Sequence, residues 1–322
     1  MSLAIESGAT NTVAIYVGAG DDSRKSLKRF HFGAANFKLL KPTQIESFLN
    51  DIKTTTAQYV IDRIAIGMPG IVGEQDKKAL KRAVDKVWPN LKMVWVGNDT
   101  DTALACIDDT KYAIKCIVIS GTGSCCYGNN GHKTAKIGGH GHIIGDRGSG
   151  YAISHMALRE ALKDYEYNHY TPDDTEPHED RSVLMNCLLK HLNLQSIYEL
   201  VGWSVVASKA EIADLAQLVI KVALMGNAVA KRVLDIAIDD LVNDIKCLVS
   251  RLRNDGAKAE GNTIQIGFTG SLLSKSETFS QRVSQKLKQS VPDADIIILK
   301  DTVMGALRMI SDKNSNSSDN GV

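Results

Sequence analysis

Three short stretches of small residues, each closing an apolar strand-like run, constrain the fold of this chain more than any other feature. ESGATNT at 6–12 follows the β-prone run 3–5 and leads into a second run at 12–17, so the chain opens as strand, tight turn, strand. SGTGS at 120–124 follows the buried-strand run 116–119, and GFTGS at 267–271 closes the run 263–268 ahead of a helical segment. Small residues at such ends let several backbone N–H groups converge on an anion without side-chain obstruction. Any one of them alone reads equally well as an ordinary turn. Three in one chain point to phosphate held at strand ends.

Two more apolar runs end in loop residues: RIAIGM at 63–68, closed by Pro69 and Gly70, and 93–96, closed by Gly97 and Asn98. Helical spacing marks 101–107, 181–192, 209–224, 228–252, 277–289 and 303–310, with a polar loop at 171–180. Tyr151, His155, Leu158 and Leu162 place one face of a further helix reaching about residue 164. Strand spacing returns at 295–299, and the glycine-rich stretch 128–150 has room for one or two short strands. Strands with a turn, then helices, then the same again describe a duplicated α/β unit.

A chain of 322 residues is too long for one small core and divides into two lobes, with a domain boundary near Asp108. Hydrophobic residues at 43%, charged residues at 23% and only 6 prolines fit a folded globular protein. Lys and Arg number 38 against 37 acidic residues, and a net charge of +1 supplies no field to gather nucleic acid or an anionic membrane surface. Phosphate must therefore be held locally. The N-terminus lacks the features of a signal peptide, no stretch reaches the roughly 18 apolar residues of a membrane span, and the six cysteines form no CxxC pair. The expectation is a cytoplasmic protein with reduced thiols and no nucleic-acid or membrane partner; a homodimer is compatible with these features.

Asp99, ending a buried strand with Asn98, fixes a carboxylate where a hydroxyl could approach, or else caps the following helix. Asp146, in GDRGS at 145–149, could accept two sugar hydroxyls or cap the helix from Ser149. Glu6 leads the first turn and could hold the water shell of Mg²⁺, with Thr10 on the phosphates. His140, His142 and Asp146 have no spacing of a known zinc cage, and Cys125 with Cys126 reads as polarizable packing beside a binding loop rather than a redox switch.

In this order, ESGATNT, GMPG at 67–70, ND at 98–99, SGTGS, GGHGHIIGDRGSGY from 139, and GFTGS resemble the N-acetylglucosamine kinase and BadF/BadG ATPase family, within the acetate/sugar kinase, Hsc70 and actin superfamily. The resemblance implies two ribonuclease H-like, actin-like ATPase lobes with a cleft between them. The first is 1–107 plus a C-terminal helix at 302–312; the second is 108–301 with a helical insert; 313–322 is a disordered tail. It implies ATP and Mg²⁺ as cofactors and a small-molecule sugar as substrate. It makes Asp99 the general base and sugar ligand. Asn36, Gly123, Cys125, His140 and Asp146 become further sugar contacts, and Gly8, Ala9, Thr10, Asn11, Thr122, Gly123, Gly270 and Ser271 hold the nucleotide. Glu6 holds the metal through water. The implied reaction is phosphorylation of the 6-hydroxyl of N-acetylglucosamine, or of glucosamine or N-acetylmuramate. The alternatives are another hexose or a sugar acid such as 2-keto-3-deoxygluconate, or a sugar- and nucleotide-binding regulator without turnover. The chain departs from the family at Cys125, where Asn is usual, and at His140, where Trp is usual. Like Cys125 in SGTGSCCYG, VGW at 201–203 and SKAEIADLA at 208–216 resemble kinase-like domains found beside N-acetylmuramate 6-phosphate etherases.

Overall fold

The computed structural model of the chain describes residues 1–8, 10–18, 27–107, 111–168, 182–253 and 263–311; Ala9, the polar stretch 171–180 and the tail 313–322 lie outside the described residues. Contacts divide the chain into two units, Met1–Tyr112 with Leu299–Val322, and Ala113–Ile298. In the first, β1 (Ser2–Ser7), β2 (Asn11–Val17) and β3 (Leu27–Gly33) form an antiparallel meander, with β4 (Arg63–Gly67) and β5 (Met93–Gly97) running parallel to β1. The sheet order is β3-β2-β1-β4-β5. In the second, β6 (Ile114–Ser120), β7 (Ser124–Asn129) and β8 (Thr134–Gly138) repeat the meander, and β9 (Ile264–Thr269) and β10 (Ala294–Ile298) the parallel pair, in the order β10-β9-β6-β7-β8. One mixed-sheet plan is thus built twice, as expected of ribonuclease H-like lobes.

Strands β1, β2, β4 and β5 of the first lobe are apolar on both faces, and period-two alternation sorts their residues between two cores. Leu3, Ile5, Ala14, Tyr16, Ile64 and Ile66 face α1 (Pro42–Thr55) and α2 (Glu74–Val87), which bury Ile45, Leu49, Ile52, Leu80 and Val84 against them. Ala4, Ile15 and Ala65 face the other way, under Val303, Ala306 and Ile310 at the C-terminal end of the chain. The alanines leave room for a helix to lie close to the sheet.

The short helix α3 (Asp99–Leu104) follows β5. In the second lobe α4 (Gly150–Asn168), α5 (Val183–Leu192), α6 (Ile197–Val206), α7 (Lys209–Asp214), α8 (Ala216–Leu224) and α9 (Ala228–Arg253) lie between β8 and β9 in sequence. Beyond β9 come α10 (Ser271–Lys275) and α11 (Glu277–Ser290), and after β10 comes α12 (Val303–Arg308). The 26-residue α9 is the spine of this lobe's core, burying twelve residues from Ala230 to Leu252. Among the described residues no single helix is long and apolar enough to cross a membrane.

The helix expected at 209–224 is two helices broken at Leu215, and the one expected at 101–107 starts earlier, at Asp99. α6 was not expected. Its sequence IYELVGWSVV is apolar almost throughout and shows no helical period, and only Leu200 is buried.

α12 reaches α3 through a missing side chain. A Cβ on Gly305 would lie 1.7 Å from the Thr102 carbonyl oxygen, a backbone atom with no freedom to give way. Gly305→Ala is therefore expected to destabilise the first lobe by about 3 kcal/mol. Gly202→Ala, in exposed α6 with nothing within 4 Å of the new methyl, should instead stabilise by about 0.5–1 kcal/mol. Thermal unfolding of the two variants checks this: the two midpoints should move in opposite directions.

Candidate active site

The described candidate residues of the first lobe lie where strands stop. β1 and β2 are joined by a turn in which Gly8 N donates to the Asn11 carbonyl at 2.8 Å, with Thr10 and Asn11 exposed on it. Beneath the turn Thr12 Oγ1 donates to the Gly33 carbonyl at 2.8 Å, tying the end of β3 to it. Asn36, three residues further on, accepts the Lys38 amide on Oδ1 at 3.0 Å. It also lies so near Gly70 that a Cβ there would stand 2.5 Å from the same oxygen. Gly70 has φ +89, a conformation in which a side chain would be strained as well. Asn98 Nδ2 then donates to the Ile71 carbonyl at 2.7 Å, so the ends of β3, β4 and β5 are joined.

Asn98, not Asp99, caps α3. Its Oδ1 accepts the Thr100 amide at 3.1 Å, and Asp101 Oδ2 accepts the Asn98 amide at 3.1 Å. Asp99 is the first residue of the helix, half-buried, and accepts the Thr100 amide on Oδ1 at 3.0 Å. The cap does not account for its carboxylate.

In the second lobe the turn 120–124 joins β6 to β7, with Gly121 N donating to the Gly123 carbonyl at 2.9 Å. The segment 146–150 is laced along it. Ser120 Oγ donates to the Gly148 carbonyl at 2.8 Å, Ser124 Oγ to the Arg147 carbonyl at 2.6 Å, and Gly150 N to the Gly121 carbonyl at 2.7 Å. Asp146 is thereby held at φ 54, in the left-handed region a non-glycine residue seldom occupies, and is 3% exposed. It does not cap α4; Ser149 Oγ accepts the Ala152 amide at 3.1 Å. Its carboxylate instead pairs with Lys209 at 2.8 Å.

The third turn backs onto the second. A Cβ on Gly121 would stand 3.2 Å from Ser271 N, and one on Gly270 (φ +87) would stand 2.4 Å from the Ser120 carbonyl oxygen. Beside both turns a cavity of ≈ 400 Å³ is lined by Gly121, Thr122, Ala213, Gln217, Ser271 and Lys275 among others. That volume is in the range of small-molecule sites.

Gly123, Asp146, Thr122, Gly270 and Ser271 are thus gathered at one edge of one sheet. Cys125 lies one residue beyond that turn, its Sγ 3.1 Å from where a Gly139 side chain would begin. The His140 side chain is exposed, and His142 packs edge-on against Tyr151 at 4.8 Å between ring centroids. Sequence reasoning missed the distant partners of Asp146, Arg147 and Glu6. Lys209, in the segment SKAEIADLA, is 63 residues from Asp146, and nothing in that segment points to the pairing. Arg147 makes a forked pair with Asp244 of α9, at 2.7 Å from Nη2 and 3.2 Å from Nε. Thr302 and Asp301 come to Glu6 from the far end of the chain.

Residues 3–307 match the family model described as the BadF/BadG/BcrA/BcrD ATPase family. The chain belongs to that family. Among similar BadF/BadG-type and related proteins, the N-acetylmuramic acid/N-acetylglucosamine kinase of Clostridium acetobutylicum is 31% identical over 248 residues, covering 76% of this chain and 75% of that one. The N-acetyl-D-glucosamine kinase of Dictyostelium discoideum is 24% identical over 312 residues, 92% of each chain. A solved Chromobacterium violaceum protein, provisionally named an N-acetylglucosamine kinase, superposes with a TM-score of 0.68 at 17% identity, covering 96% of this chain and 98% of that one, and shows the same fold.

In this BadF/BadG-type ATPase the electrostatics of the first turn centre on Glu6. Its Oε2 is enclosed and has no hydrogen-bond partner among the described residues. Burial pushes its carboxyl up to about 8; a hydrogen bond to Thr302 opposes the rise, and the charges of Asp99 and Asp301 add to it. Folding therefore favours the protonated form. The stability this supplies is fully present below the ordinary glutamate value near 4.5 and is lost as pH rises through about 8. In metal-free buffer the thermal midpoint should fall between pH 5 and pH 8.5. Glu6→Gln should flatten that slope and unfold at higher temperature than the wild type at pH 8.5.

Proposed function

We propose that this ATPase-family protein is a cytoplasmic ATP-dependent kinase that phosphorylates the primary hydroxyl of an amino sugar, with N-acetylglucosamine or N-acetylmuramate as the leading substrates. The observation that carries the reading is the repeated hairpin: each lobe ends its first two strands in a small-residue turn, and each places a carboxylate among neighbouring strand-end loops, Asp99 in one and Asp146 in the other. The two curated relatives carry the same activity in their names.

In this reading the turns at Gly8–Asn11 and Gly121–Ser124 hold the phosphates through backbone N–H groups, and the cavity beside Thr122 and Ser271 takes the adenosine end. Asn36 and Asp146 fix the sugar by its hydroxyls. Asp99 accepts the proton of the primary hydroxyl as that oxygen attacks the γ-phosphorus; the bond to the β-phosphate oxygen breaks, and ADP leaves. Mg²⁺, when bound, neutralises charge on the phosphates. Glu6 fits as its ligand through water, because an enclosed oxygen without a partner is what a hydrated cation would satisfy. Among the described residues no three His, Cys, Asp or Glu groups could form an all-protein cage, and Mg²⁺ ordinarily prefers waters and substrate phosphates to such a cage. Cys125 and Gly139 flank the second turn, where the substituent at the sugar's second carbon would be read.

A coupled assay of ADP release with N-acetylglucosamine, glucosamine, N-acetylmuramate and glucose tests the reading. One or more amino sugars should drive turnover. Binding without ADP release would identify a sugar sensor instead. Asp99→Asn should lower kcat by about 10²–10⁴-fold while sugar binding by calorimetry stays within a few-fold of wild type; wild-type turnover in that variant would remove Asp99 from the role of base.

A further inference from the structure

Asp146 is almost wholly buried, and its two oxygens are not in the same situation. Oδ2 accepts from Lys209 Nζ at 2.8 Å. Oδ1 has no hydrogen-bond partner among the described residues, and it is absent from the enclosed polar atoms that lack partners. One oxygen is thus occupied by the protein and the other is left for a ligand. The arrangement depends on Gly123, since a Cβ there would stand 2.9 Å from Oδ2 and 3.2 Å from Nζ.

Lys209 is itself held firmly at its base. Ser208 caps α7, its Oγ accepting the Glu211 amide at 3.3 Å while the Glu211 carboxylate accepts the Ser208 amide at 2.8 Å. At its other end α7 is seated against α4, where Ser154 Oγ donates to the Ala213 carbonyl at 3.5 Å. The cap of α7 thus anchors the backbone of Lys209 on one side, and the hydrogen bonds of 146–150 anchor that of Asp146 on the other. A buried carboxylate without such a partner would be an uncompensated charge.

We propose that Lys209 is a positioning residue for sugar recognition: by occupying Oδ2 and compensating the buried charge, it turns Oδ1 of Asp146 toward the site as the acceptor for a sugar hydroxyl. The proposal rests on the reading above that Asp146 receives sugar hydroxyls. Lys209 acts on the affinity for the sugar and not on the phosphoryl-transfer step.

The test is a steady-state comparison of wild type, Lys209→Met and Lys209→Arg, with N-acetylglucosamine and ATP varied in turn, together with calorimetric binding of N-acetylglucosamine in the absence of ATP. Loss of a charged hydrogen-bond partner should raise KM and Kd for the sugar by about tenfold to a hundredfold in Lys209→Met. Its kcat and its KM for ATP should stay within about threefold, and Lys209→Arg should recover most of the loss. A thermal melt of each variant accompanies the kinetics. An unchanged sugar KM and Kd in Lys209→Met overturns the proposal. So does a loss that appears equally in kcat, both KM values and the melting temperature and is not recovered by arginine. If the wild type binds N-acetylglucosamine but does not phosphorylate it, the kinase reading fails and the calorimetric comparison still decides the role of Lys209. If the wild type does not bind the sugar at all, both fail.

Discussion

A β-sheet covered on both faces can offer polar atoms to a ligand only where its strands stop, because along their length the backbone is hydrogen-bonded sideways and the side chains are sealed above and below. β1 and β4 obey this strictly: Leu3 and Ile5 face one core, Ala4 the other, and the same holds for Ile64, Ile66 and Ala65. The candidate chemistry is confined to the strand ends as a result. Glu6, Asn36, Gly70 and Asp99 stand at the ends of four strands of one sheet, and Thr122, Gly139 and Ser271 at the ends of three strands of the other. Duplication of the unit makes this one constraint act twice.

The same constraint explains what could be read without coordinates. A two-face buried strand followed by small residues is a local pattern, so SGTGS, GFTGS and ESGATNT are visible in the sequence, and with them the α/β class and the repeated plan. Helices lying between strands and solvent are visible when polar and apolar residues alternate at the helical period, as in α9. They are not visible when that contrast is missing, as in α6, where Tyr198, Val201, Val205 and Val206 are exposed although apolar. The break at Leu215 escapes for another reason: the residue is buried at the turn between α7 and α8 and keeps the apolar spacing across it.

Long-range partners were out of reach. Asp146 was singled out because of its glycine-rich surroundings. Lys209 opens the helical spacing of 209–224 and lies in SKAEIADLA, where nothing local pairs it with Asp146. Thr302 and Asp301 meet Glu6 only because α12 packs on the first lobe, and that packing rests on Gly305 and on the alanines beneath the helix. Pairings of this kind are set by topology, and no local spacing encodes them.

What the partners produce is an electrostatic division between two copies of one fold. In the first lobe burial, with smaller contributions from the charges of Asp99 and Asp301, drives the Glu6 carboxyl toward its protonated form around an enclosed oxygen. In the second lobe the buried carboxylate already has its cation: Lys209 compensates Asp146, and the Arg147–Asp244 pair braces the same loop. A compensated carboxylate has little to gain from a metal and is suited to an uncharged donor such as a hydroxyl. The left-handed backbone of Asp146 fits that division, since a strained residue persists only where its surroundings over-determine it. Here the two serine hydroxyls on the Arg147 and Gly148 carbonyls, the Gly123 gap and Lys209 do so. Two sheets of one plan therefore carry different electrostatics at equivalent ends: a protonation-prone carboxyl with an enclosed, unpartnered oxygen in one, and a carboxylate compensated by a lysine in the other.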